Sequence, residues 1–199
     1  KESSAASDVY KRQVFTGITS VWFAKKENIL LYPVGIVSVF LWIYLCWVGE
    51  IYGQAIINLF FLVMNIYGWY NWSRKDNSDM NKVQIKFSSF KENILYIIVA
   101  ALLTLSIYLA LSTIEVLNFD WKFVLIESFI TALNFIAMWL MAWKRVENWV
   151  LWIIGDIFCI PLFVFKEYYL SVAQFSIFIF IAFMGYFEWK KKALKNQEI

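Results

Sequence analysis

Histidine is absent from this chain of 199 residues, and cysteine occurs only twice. The first absence removes imidazole general-base chemistry and the commonest transition-metal ligand, so neither a metal nor a cofactor is expected. Cys46 and Cys159 both fall inside apolar runs, so no disulfide framework is suggested. Charge is scarce as well: 17% of residues are Asp, Glu, Lys or Arg, against roughly 25% in a soluble domain. No glycine-rich phosphate loop of the Walker type occurs, which excludes an ATPase motor within the chain. Nothing resembles a nucleic-acid module.

What is there is apolar: 61% hydrophobic residues, 21% aromatic, and a mean hydropathy of +0.61. Six runs, at residues 29–48, 51–72, 93–114, 122–143, 148–165 and 168–189, approach the ~20 residues that cross about 30 Å of hydrocarbon. Ahead of them VFTGITSVWFA, residues 14–24, makes half a span. The preceding KESSAASDVYKRQ lacks an initiating Met and any signal-peptide apolar region. Residues 1–13 are therefore expected to be a foreign or disordered leader, with the first helix truncated or altered. The class is an all-α polytopic membrane protein with seven transmembrane helices.

Lys and Arg set the expected orientation. The segments after spans one, three and five and the C-terminal tail carry Lys25, Lys26, Arg74, Lys75, Lys82, Lys86, Lys91, Lys144, Arg145, Lys190, Lys191, Lys192 and Lys195. The opposite side carries Lys122 and Lys166 once the leader is excluded. By the positive-inside rule the first group is cytoplasmic, giving N-terminus out and C-terminus in.

The chain also matches itself. ENILLYPVG (27–35) aligns with ENWVLWIIG (147–155), and Glu50, Tyr52, Gly68 and Trp72 align with Glu167, Tyr169, Gly185 and Trp189. One three-residue offset separates the two blocks. Spans one to three then repeat as spans five to seven, and the unpaired fourth restores the direction that an odd number of helices reverses. The expected plan is 3+1+3, two parallel repeats about an axis along the membrane normal. Residues 14–72 form the first repeat, 73–121 the loop and linker helix, and 122–199 the second repeat with its tail. Such a plan places a substrate site near the midplane between the halves.

Polar residues inside spans are costly and mark cavities or helix contacts. Trp149, Trp152 and Asp156 stand at i, i+3 and i+7, one face of span six, with the acid about 10 Å deeper than Trp149. Glu127, Thr131, Asn134 and Met138 line span five, and Gln54, Asn58, Asn65, Trp69 and Trp72 line span three; Gln174 and Ser176 lie in span seven. Trp72 and Trp189 read as interfacial belt residues, and Glu127 as an outer gate or surface residue. Aromatic faces beside amides and a carboxylate suit a flat heteroaromatic ring bearing hydroxyls, such as a nucleoside-like vitamin. An intramembrane enzyme is a distant alternative prompted by Gly155-Asp156; it would need two facing carboxylates at depth.

KENILLYPVGIVSV (26–39), NIYGWYNW (65–72), SFITALNFIAMWLMAWKRVENWVLWIIGD (128–156) and GYFEWKK (185–191) together resemble the PnuC family of bacterial nicotinamide riboside transporters. The resemblance implies a SWEET-like fold, a homotrimer with one path per protomer, and facilitated uptake into the cytoplasm across the inner membrane. There a kinase traps the vitamin by phosphorylation. Carried over, it implies that Trp149 and Trp152 stack on substrate. Asp156, Asn134 and Asn65 would meet its polar groups, and Trp69 and Gln174 would line the path. Met138 stands where such carriers place an amide, which keeps thiamine open as the substrate.

Overall fold

The computed structural model describes residues 4–48, 52–75, 81–113, 120–165 and 167–197. Glu50 and Lys166 lie outside them. Seven helices follow in order: α1 (Ser4–Lys25), α2 (Leu31–Val48), α3 (Tyr52–Ser73), α4 (Phe90–Ser112), α5 (Trp121–Ala142), α6 (Asn148–Phe165) and α7 (Tyr169–Gln197). Five of them, α2, α4, α5, α6 and α7, are long and apolar enough to cross a membrane. The six long runs read from the sequence each become a helix.

The first helix corrects an expectation. Residues 4–13 are helical rather than disordered, and α1 runs unbroken for 22 residues, although it is not among the helices apolar enough to cross a membrane. Its early turns are tied into the bundle: the Tyr10 hydroxyl meets Ser171 of α7, and Gln13 reaches Ser38 of α2. Tyr10 and Gln13 turn toward α7 and α2, while Asp8, Lys11 and Arg12 stay exposed, so the sequence of these turns reads as polar. Lys11 and Arg12 therefore belong to the end of the bundle opposite Lys25, so the charge bias between the two ends is smaller than expected.

Six helices close a ring in the order α1, α2, α3, α5, α6, α7, with α7 returning to α1; α4 packs against α5 from outside. None of the described residues of α4 is buried, so it meets lipid on nearly every side. Its start is fixed by a capping box between Ser89 and Glu92. In this ring α1 stands opposite α5, α2 opposite α6, and α3 opposite α7, as a two-fold between repeats requires.

The repeat register also differs from the sequence alignment. The ends Lys25 and Ala142, the starts Leu31 and Asn148, the ends Val48 and Phe165, and the starts Tyr52 and Tyr169 all keep one offset of 117 residues. The Glu-Asn-to-Gly match is thus out of structural register by three. In the true register Tyr32 pairs with Trp149, Trp72 with Trp189, and Gly68 with Gly185. The match misled because it aligned turn residues whose roles at helix ends are set by geometry.

Those turns are themselves equivalent. After α1, Glu27 N–H donates to Ala24 and Asn28 N–H to Phe23; after α5, Lys144 N–H donates to Met141 and Arg145 N–H to Leu140. Both are Schellman caps, and the left-handed residue usually supplied by glycine is Glu27 (φ 58) in one and Lys144 (φ 51) in the other. A charged residue is retained there at a steric cost of about 1 kcal/mol.

Candidate functional site

The end of the ring that carries α1's last turn is densely packed. Ala24, Leu31, Tyr32, Trp72, Ile85, Met141, Val146, Trp149, Ala182, Trp189 and Ala193 form one buried cluster there. Four rings run across it. Tyr32 meets Trp72 edge-on at 5.1 Å, Trp72 meets Trp189 at 6.0 Å, and Trp189 meets Trp149 edge-on at 5.5 Å. The Trp72–Trp189 contact spans the ring's diameter, so Trp72 and Trp189 are not belt residues. Each indole N–H caps the first helix of the other repeat: Trp72 donates to the Ala142 carbonyl at 3.2 Å and Trp189 to the Lys25 carbonyl at 3.2 Å. Their occurrence at matching positions of both repeats was the sequence signal for an interior role.

Charges seal the same end. Glu27 receives Lys144 at 2.8 Å and Lys192 at 2.8 Å, and Lys25 pairs with Glu188 at 2.9 Å. Lys144 is buried, its ammonium 4.5 Å from the Trp72 ring centre. Burial alone would raise the Glu27 carboxyl, but the hydrogen bonds from Lys144 and Lys192 outweigh it and hold the pKa below the ordinary value. An extended strap from the α3–α4 loop lies alongside. Lys86 exchanges backbone hydrogen bonds with Lys144 and Val146, Ser88 donates to Glu147, and Ile85 is buried. The loops after α1, α3 and α5 and the end of α7 thus meet at one face, as the charge pattern requires.

Deeper in the ring, Trp152 packs against both this cluster and a second one of Met64, Met138 and Ala142. Asn134 reaches α6 beside Gly155: its Oδ1 lies 2.8 Å from where a methyl on that glycine would be, and it has no hydrogen-bond partner. Asp156, the next residue, is buried at 4% exposure. Trp152, Asp156, Asn134 and Met138 therefore share the α5–α6 wall. Asn65 and Gln174 serve the other wall. Asn65 leans on Gly35 of α2 and Gln174 on Gly17 of α1, each filling the space a side chain would take.

Three expected residues stand apart. Trp149 is fully buried against Gly185 and Trp189, within the sealed end. Asn58 is buried and, like Asn65 on Phe61, donates its amide to the carbonyl four residues back, here Gln54, but among the described residues it meets no glycine of a neighbouring helix. Trp69 is 42% exposed. Gln54 is half-buried on the same face as Asn58, and so is Glu127 on α5. Two open apolar grooves of about 430 and 410 Å³, one between α1 and α2 and one between α5 and α6, are lined by none of these residues.

The true register exposes a contrast. Where the second repeat has Asn134, Met138, Trp152 and Asp156, the first has Gly17, Val21, Gly35 and Val39. The packing scaffold is duplicated, while these polar and aromatic side chains occur in one repeat only.

Comparison with known proteins agrees in extent and kind. A nicotinamide riboside transporter PnuC of Escherichia coli is 26% identical over 89% of this chain and 82% of its own length. A riboflavin/roseoflavin transporter RibM of Streptomyces davaonensis is 27% identical over 71% of this chain and 65% of its own. A crystal structure of the vitamin B3 transporter PnuC shares the fold at a TM-score of 0.78 and 20% identity, covering 96% of this chain and 84% of that one. Residues 12–191 match the nicotinamide mononucleotide transporter family, and with that match over most of its length the chain belongs to this family of multi-pass membrane transporters, not of enzymes.

Proposed function

We propose that the chain carries nicotinamide riboside across the bacterial inner membrane. The observation that carries this reading is that Trp152, Asp156 and Asn134 stand where the first repeat has Gly35, Val39 and Gly17, with Asp156 buried. An aromatic face, a buried carboxylate and an unpaired amide oxygen match a flat cationic ring with a hydroxylated sugar. Trp152 stacks on the ring, Asp156 and Asn134 meet polar groups of the ligand, and Asn65 and Gln174 complete the opposite wall. Trp149 closes the end below.

In this reading the Lys-rich face is cytoplasmic and the chain works as a facilitator within a homotrimer. A cytoplasmic kinase removes the imported vitamin by phosphorylation. The relative named for riboflavin favours one second reading, a larger flat vitamin in the same wall; Met138 keeps thiamine in the comparison. A calorimetric panel of nicotinamide riboside, riboflavin, thiamine and ribose on the purified chain decides among them. Trp152→Ala removes stacking of about 1–3 kcal/mol, so affinity for the preferred vitamin should fall roughly 5–150-fold. Unchanged affinity in that variant would remove Trp152 from the site.

A further inference from the structure

We infer that Tyr32, Trp72, Trp149 and Trp189 form the gate at the Lys-rich end, and that Gly68 and Gly185 are the seats on which it closes. The inference rests on the transport reading and names the residues that substrate must part on its way out.

Three observations carry it. The Trp72–Trp189 contact lies on the ring's diameter at the pseudo-two-fold, so no passage exists there while the two indoles touch. Each flanking ring presses on a glycine of its own repeat. A methyl on Gly68 would stand 2.3 Å from the Tyr32 ring, and one on Gly185 2.7 Å from Trp149. The closed arrangement therefore requires glycine at both positions, a matched pair in the two repeats.

The flanking rings also carry unmet hydrogen-bonding capacity. The Tyr32 hydroxyl and the Trp149 indole N–H are both buried without a partner, a costly condition. Those two donors become available to hydroxyls of a ligand, or to water, once the central pair separates. Opening must also break the two indole-to-carbonyl bonds that cross between repeats. Neither half can swing alone without uncapping the other's first helix.

The test uses the full chain with Cys46→Ala and Cys159→Ala, and Ala182→Cys as a reporter buried in the gate cluster. In vesicles, a membrane-impermeant maleimide is offered to one face and then to the other. Gly68→Ala and Gly185→Ala should each raise labelling from the Lys-rich face by about tenfold or more, as expected when a closed state is disfavoured by a clash. Trp72→Phe and Trp189→Phe keep most of the packing and lose only the cross-repeat bond; they should raise it about 3–10-fold, and they decide the matter if the alanine variants fail to fold. Labelling at the parental rate in folded variants, or a gain only from the opposite face, overturns the gate. Nicotinamide riboside binding is measured in parallel: a labelling gain in a chain that does not bind it leaves the gate standing and removes only that substrate.

Discussion

The two repeats share a backbone and divide the labour. Their helix ends keep one register, their turns are closed by the same cap, and their third helices carry the same Gly-x-x-x-Trp. At the level of the wall they part: Trp152 answers Gly35, Asp156 answers Val39, and Asn134 answers Gly17. The helix ends and caps are built twice, and the wall to which we assign recognition is built once. A two-fold pocket would present the same group from both sides, which suits no nucleoside.

Erasing the contrast should have the largest effect. Val39→Asp places a carboxylate at the half-buried first-repeat equivalent of Asp156, inside an apolar span. The expected cost is about 2.5–3.5 kcal/mol, read as a fall in thermal stability in detergent. Asp156→Val makes the halves alike in the other direction, and there the fold should survive while vitamin binding is lost. If Val39→Asp were as stable as the parent, the two walls would be chemically interchangeable and the contrast would fail.

Acid should loosen the shared end next. Glu27 has a carboxyl pKa held below its ordinary value of 4.5, so its contribution is complete above that pH and is lost as pH falls through the lowered folded value. Stability measured from pH 7 downwards should therefore fall off below about pH 4.5, and Glu27→Gln should flatten that limb. Because Glu27 is partly exposed, the variant should cost only about 1 kcal/mol at pH 7. An unaltered acid limb would show that other carboxylates govern it.

The smallest effect sharpens the boundary of the site. Trp69→Ala should leave vitamin affinity within about twofold, since the side chain is 42% exposed. A loss like that of Trp152→Ala would return Trp69 to the path.

Most of the fold was readable from the chain, because helix-length apolar runs separated by charge leave few alternatives in a bilayer. The early turns of the first helix were not: Tyr10 and Gln13 are polar in sequence yet bond to α7 and α2 within the bundle. The site was half readable. Asp156 stood out because a carboxylate in an apolar run needs a reason, and the structure buries it. Trp149, Trp72 and Trp189 resisted, since a tryptophan near a charged loop looks the same whether it anchors a helix at the interface or bars a channel. Only the glycines beside Tyr32 and Trp149 separate the two roles, and their contacts lie far apart in sequence. Lys144 was likewise counted as a loop charge, though it is buried beneath Trp72.

Glu27 and Lys144 occupy the same place in the two halves, yet bear opposite signs and clasp each other across the centre. A dimer made of two copies of either half alone would bring carboxylate against carboxylate, or ammonium against ammonium, at that spot. Neither half can thus stand in for its sibling. The mutual grip of unlike charges makes a single chain of non-identical halves a better closure than any assembly of equals.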